Sequence, residues 1–146
     1  MSGKKGSRYE RELVNRFESL GWGALRCPAS GGATDRELPD ILAGLALDGP
    51  SKDFPISRAL AIELKSGKST TLYVDKEEVY ALRSFAESFG ATPLLCARFT
   101  TQASSTDVYL VKPQNARMTP KAYGLPLSDI EDRAYMRVTS DSIELV

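Results

Sequence analysis

Glu63 and Lys65 lie two residues apart in Ala59-Leu60-Ala61-Ile62-Glu63-Leu64-Lys65. Side chains alternate between the faces of a strand, so Leu60, Ile62 and Leu64 share one face and Ala59, Ala61, Glu63 and Lys65 the other. An acid and an amine beside small alanines, on a strand apolar enough to be central, can supply a cation ligand and a fixed positive charge. Taken alone, the same pattern also fits a solvated strand face carrying a Glu/Lys pair. Asp40, in Leu38-Pro39-Asp40-Ile41-Leu42-Ala43, is by itself an ordinary turn residue ahead of an apolar strand. If the two strands are neighbours, Asp40 and Glu63 come close, and two close carboxylates repel unless a proton or a cation intervenes. Oxygen-only donors favour Mg²⁺ or Mn²⁺ over zinc or copper.

A third acid belongs to the first helix. With Leu13 at zero on a helical projection, Tyr9, Phe17 and Leu20 define an apolar arc, and Glu10 falls inside it at roughly +60°. A carboxylate on a buried stripe must be paired or bind a cation. Glu12, at roughly −100°, falls outside the arc and reads as solvent-facing. Histidine is absent from the chain. Ser-His-Asp and Cys-His catalysis are thereby excluded, along with most zinc chemistry. Acid-base work must rest on carboxylates, lysine, tyrosine or metal-activated water.

These groups need a scaffold, and the sequence pattern outlines one. A helix is expected over residues 7–20, ended by Gly21 and Gly23. Strands are expected at 22–27, 38–44 and 58–65, with a glycine-rich loop at 28–35 and a surface connection at 48–57 marked by its prolines and glycine. An amphipathic helix over 75–89 closes at Gly90, and strands follow at 92–99 and 106–112. The fold class expected is α/β, a mixed central sheet flanked by helices. The 146 residues fit one domain, with a core over about 3–112 and a weakly patterned appendage over about 113–146 ending in a strand near 142–146. No internal repeat is visible.

Hydrophobic residues make up 42% of the chain and charged residues 26%, as in ordinary globular proteins. No apolar run approaches the roughly 20 residues that span a bilayer, and the basic, polar start has no apolar segment behind it to make a signal peptide. Cys27 and Cys96 read as reduced, small core residues, which points to a cytoplasmic location. The net charge is zero, but up to residue 36 seven bases (Lys4, Lys5, Arg8, Arg11, Arg16, Arg26, Arg36) face four acids (Glu10, Glu12, Glu18, Asp35). Cations bound to the carboxylates would make the charge felt by a phosphate backbone positive.

Pro39-Asp40 followed by Glu63-Leu64-Lys65 resembles the signature of the PD-(D/E)xK nuclease superfamily, whose restriction-endonuclease-like fold it implies. The opening Gly6-x-x-x-Glu10-Arg11-Glu12-Leu13-Val14, then Gly21, Arg26, Ser30-Gly31-Gly32 and Asp40-Ile41, resembles the archaeal Holliday junction resolvases. So do Tyr73-Val74, Leu82, Phe85, Phe89-Gly90-Ala91 and Pro93, so that the resemblance covers about residues 3–100. It implies a metal-dependent endonuclease that cuts four-way DNA junctions as a homodimer. It further implies Glu10, Asp40 and Glu63 as ligands of Mg²⁺, with Mn²⁺ able to substitute, and Lys65 as the residue that positions the attacking water. Arg11, Arg26 and Ser30 match positions used around the scissile phosphate and the junction; Lys4 and Lys5 are further candidates for DNA contact. Two features depart from the family pattern: the long link between Asp40 and Glu63, and the tail after about Arg117. The alternatives are a nuclease of the same superfamily acting on other DNA, restriction- or repair-like, and a DNA-binding module of this fold that no longer cuts.

Overall fold

A computed structural model describes residues 4–28, 37–51, 54–101 and 105–146. Helix α1 spans Lys4–Ser19 and is followed by strands β1 (Gly23–Arg26), β2 (Ile41–Ser51), β3 (Phe54–Gly67) and β4 (Thr71–Asp75). Helix α2 (Lys76–Phe89) leads to β5 (Thr92–Phe99) and β6 (Val108–Val111), then β7 (Arg117–Met118) and β8 (Ala122–Pro126). A single turn of helix, α3 (Ile130–Arg133), precedes β9 (Met136–Val138) and β10 (Ile143–Leu145). The main sheet has seven strands in the order β1-β2-β3-β5-β6-β9-β10, and a second sheet has three, β4-β8-β7. Among the described residues only β3 and β5 pair in parallel, joined by the crossover through α2; the other pairs are antiparallel. The sheet is therefore mixed and flanked by helices, as the pattern predicted.

Strand alternation divides the interior into two cores. Leu60, Ile62 and Leu64 of β3, with Leu94 and Cys96 of β5, pack beneath Leu13 and Phe17 of α1. Ala61, Leu95 and Ala97 face the other way, under Val79, Leu82 and Ala86 of α2. α1 stops where Gly21 takes a positive φ of 93°, and the chain turns so that Trp22 meets Phe17 edge-on at 5.2 Å. α2 ends at Gly90, φ 84°, whose N–H returns to the Ala86 carbonyl.

The described residues of segment 48–57 do not form the surface loop that its prolines suggest. They form the far half of a β2–β3 hairpin, paired through Leu47↔Ile56 and, after a register shift, Ser51↔Phe54. Among the described residues β1 pairs with β2 only as far as Gly44 and β5 joins β3 only from Leu60, so beyond them the outer hairpin is a two-stranded ribbon. Proline, which has no N–H to donate, is tolerated on such an outer strand.

The tail, expected as an appendage, supplies strands to both sheets. β8 pairs with β4, some fifty positions earlier in the chain, while β9 lies between β6 and β10. Leu125, Ile130, Met136 and Val138 are almost fully buried. No helix among the described residues is long and apolar enough to cross a membrane.

Candidate active site

Asp40 stands at the point where the β2–β3 ladder runs out. Its N–H still reaches the Ile62 carbonyl at 2.9 Å, and its carbonyl accepts the Cys27 N–H at 2.9 Å. Past Ile41↔Ile62 the register would set Pro39 against Leu64, but pairing has ended. The Leu64 N–H donates instead to the Asp40 carboxylate at 2.8 Å. Backbone and side chain together thus pin Asp40 beside the Glu63-Leu64-Lys65 run.

Glu63 and Lys65 share the Ala61 face, the one covered by α2. α1 packs on the opposite face, and Glu10 comes to the same cleft from that side. It arrives at the end of edge strand β1, where its carboxylate accepts a bond from Arg26 Nε at 3.1 Å. Glu10 is 9% exposed, as expected for an acid on the apolar stripe. A cleft of about 310 Å³ gathers six acids: Glu10, Glu37, Asp40, Glu63, Glu77 and Glu78. Among the described residues no three of these carboxylates close into a metal-holding cage. The arrangement is an open acidic cleft.

Its electrostatics are those of carboxylates short of positive charge. Burial lifts Asp40 to about 6; the Leu64 N–H opposes the rise, and the Glu10 charge adds to it. Burial also lifts Glu63, to about 9, with the charges of Asp40 and Glu78 pushing the same way. Lys65 is pulled down by burial, but its hydrogen bond and ion pair with Glu78 outweigh this and hold it above its ordinary value. Cys27 rises to about 11 through burial and the nearby charges of Asp40, Glu10 and Glu63, so it is a protonated thiol. Neither cysteine forms a disulfide.

A carboxyl whose folded pKa exceeds its unfolded one costs nothing below the unfolded value, near 4. Its penalty grows as pH rises towards the folded value and is fully present above it. Without a cation, Asp40 and Glu63 therefore destabilise the protein progressively from about pH 4 upward, through about 6 and about 9. Glu63→Gln is expected to melt at a higher temperature than wild type at pH 8 in chelator, with the gap narrowing as pH falls to 5. Equal melting temperatures at pH 8 would contradict this.

The sequence pattern alone singles out neither Glu78, at the cleft, nor Arg98, on the α1 side of the sheet. Glu78, at the start of α2, accepts a bond from Lys65 Nζ at 3.1 Å. Its signal was the Asp75-x-x-Glu78 spacing of a helix start, which places the third helical residue beside the N-terminal end. Arg98 is buried on β5 and donates to Glu12 at 2.6 Å, as does Arg16. Glu12 is consequently not a free solvent-facing acid but the shared counter-ion of two buried arginines. Arg16, counted above among bases available to a phosphate backbone, is committed inside, with the Thr106 carbonyl at 2.7 Å. Arg11 is exposed on α1, and Arg26 also reaches Ser7 Oγ at 3.1 Å. Ser30 lies outside the described residues; Lys4 and Lys5 open α1, and their side chains lie outside the described ones.

A mixed sheet flanked by helices, with Asp40 at the start of one strand and Glu63 and Lys65 on its neighbour, defines a nuclease fold of the PD-(D/E)xK type. The model of the archaeal Holliday junction resolvase (Hjc) family matches residues 1–133. The crossover junction endodeoxyribonuclease Hjc of Methanocaldococcus jannaschii is 30% identical over 108 residues, 74% of this chain and 69% of that protein. Its namesake from Sulfolobus acidocaldarius is 33% identical over 100 residues, 67% of this chain and 63% of that protein. The solved structure of Archaeoglobus fulgidus Hjc, a Holliday junction resolvase from an archaeal hyperthermophile, superposes with a TM-score of 0.67 at 28% identity. That superposition covers 86% of this chain and 92% of the other. The chain belongs to the archaeal Holliday junction resolvase family.

Proposed function

We propose that this protein is a divalent-metal-dependent endodeoxyribonuclease that resolves four-way DNA junctions by paired phosphodiester hydrolysis. It would act in the cytoplasm, as a single nuclease domain in each protomer of a homodimer. The observation that supports the reading is that Asp40 and Glu63 line one acidic cleft on the family's fold, with Lys65 tied to Glu78 of the same cleft.

The residues fit a hard cation. All the donors are oxygens, and the half-buried Asp40 and Glu63 are held towards protonation, chiefly by loss of water around them. Asp40, Glu63 and Glu10, spread around the open cleft, would draw together to hold it, with Mg²⁺ the natural ion and Mn²⁺ a substitute. Such an ion supplies Lewis-acid charge at the phosphate and activates water at neutral pH. Lys65 would orient the nucleophile and offset charge developing on the phosphoryl group. Arg26, already at the cleft on Glu10, would turn its guanidinium fork to a phosphate. Arg11, Lys4, Lys5 and Ser30 would extend the DNA contact along the N-terminal side. A four-way junction needs two matched cuts on opposed strands, and a two-fold homodimer presents two identical clefts to it.

Incubation with a synthetic four-way junction tests the proposal. Cleavage is expected with Mg²⁺ or Mn²⁺ and none with EDTA, while Ca²⁺, with its looser coordination, is expected to support binding with little cutting. Full cleavage in EDTA would refute the metal role.

A further inference from the structure

Lys65 can act as a fixed charge only if something fixes it. A lysine ammonium sits on a flexible four-carbon stem and carries three rotatable donors. Among the described residues, the hydrogen-bond partner of Lys65 Nζ is Glu78 Oε2, at 3.1 Å. Glu78 is held in its turn: its other oxygen accepts the Asp75 N–H at 3.4 Å, across the first turn of α2. The positive end of the helix favours a carboxylate at that position. Behind it, Val79, Leu82 and Ala86 anchor α2 in the core. The Lys65 side chain is 18% exposed and Glu78 35%, so the pair is no loose surface contact, and Glu78 lines the same cleft as Glu63 and Asp40. Without Glu78, the carboxyl groups whose charge Lys65 already feels are Glu63 and Asp40.

We infer that Glu78, outside the Asp40…Glu63-x-Lys65 motif, is the positioning residue for Lys65. It ties the ammonium to the N-terminal turn of α2 and keeps it from collapsing onto the acids of the cleft. The inference rests on the proposed nuclease reading, and its test separates the two.

Single-turnover cleavage of a four-way junction is measured for wild type, Glu78→Ala, Glu78→Gln, Lys65→Ala and the Lys65→Ala/Glu78→Ala double variant, alongside junction Kd. Glu78→Ala is expected to be slower by about 10–100-fold at unchanged Kd. Glu78→Gln, which keeps one acceptor oxygen for the ammonium, is expected to fall between it and wild type. The double variant is expected to cut no more slowly than Lys65→Ala alone. Rates within twofold of wild type for Glu78→Ala, or a double variant slower than Lys65→Ala by the full Glu78→Ala factor, would overturn the assignment. If Glu78→Ala fails to fold, Glu78→Gln decides, and a rate within twofold of wild type overturns it. A wild-type protein that cuts no junction refutes the nuclease reading instead. In that case the ¹⁵N ammonium signal of Lys65 tests positioning: it should be sharp in wild type and broadened by exchange in Glu78→Gln. An unchanged signal would refute it.

Discussion

Glu63→Gln should lower single-turnover cleavage of a four-way junction by roughly 10⁴-fold, about 5.5 kcal/mol in the barrier. The protein should stay folded and bind the junction with unchanged affinity. Gln keeps the shape of the side chain but removes one charge of those that would hold the cation. The ground state loses little, because that charge is already costly in its buried position. Asp40→Ala and Lys65→Ala should share the loss of cleavage, although Asp40→Ala also frees the Leu64 N–H from its 2.8 Å partner and gives back part of any stability gained. Unchanged rates in two of the three variants would reject this active site.

The second large effect is on stability. Arg16 and Arg98 are each about 10% exposed at the side chain, and both donate to Glu12 Oε1 at 2.6 Å. Glu12→Ala leaves two buried guanidinium groups without their shared counter-ion. Breaking a buried pair in this way costs roughly 3–5 kcal/mol, or on the order of 10 °C in melting temperature for a chain of this length. Arg98 also lies over the Tyr9 ring at 4.6 Å, so the loss should spread to the packing of α1 on β5. Glu10→Gln, two residues away, should leave melting almost unchanged while removing most of the cleavage. Similar melting temperatures for Glu12→Ala and wild type would show that the arginines find other partners.

The contrast between Glu10 and Glu12 marks how far periodicity carries. It placed Glu10 on the buried stripe correctly, because that depends only on the helix and its own apolar residues. It missed the partners of Glu12, because Arg98 comes from a strand 86 positions later. Such a residue is visible only as one charge in an apolar run. The same division runs through the fold. The strand at 92–99 and the helix closed by Gly90 emerged with nearly correct bounds, since local pattern and local turn chemistry agree there. The outer β2–β3 hairpin and the β4–β8 pair were hidden: prolines in one case and sequence separation in the other leave no local signal, and pairing decides both. In the candidate site, the motif pointed to Asp40, Glu63 and Lys65, whereas the Glu78 contact with Lys65 depends on α2 lying over their face of the sheet.

The proposed activity is matched cutting of four-way junctions at this cleft. Its most direct test sets a four-way junction whose arms cannot migrate beside a linear duplex of identical sequence, each end-labelled on every strand, with Mg²⁺ present. Paired nicks on opposed strands of the junction, with the duplex left intact, are the predicted result. Equal cutting of both substrates, or an intact junction, would contradict the account.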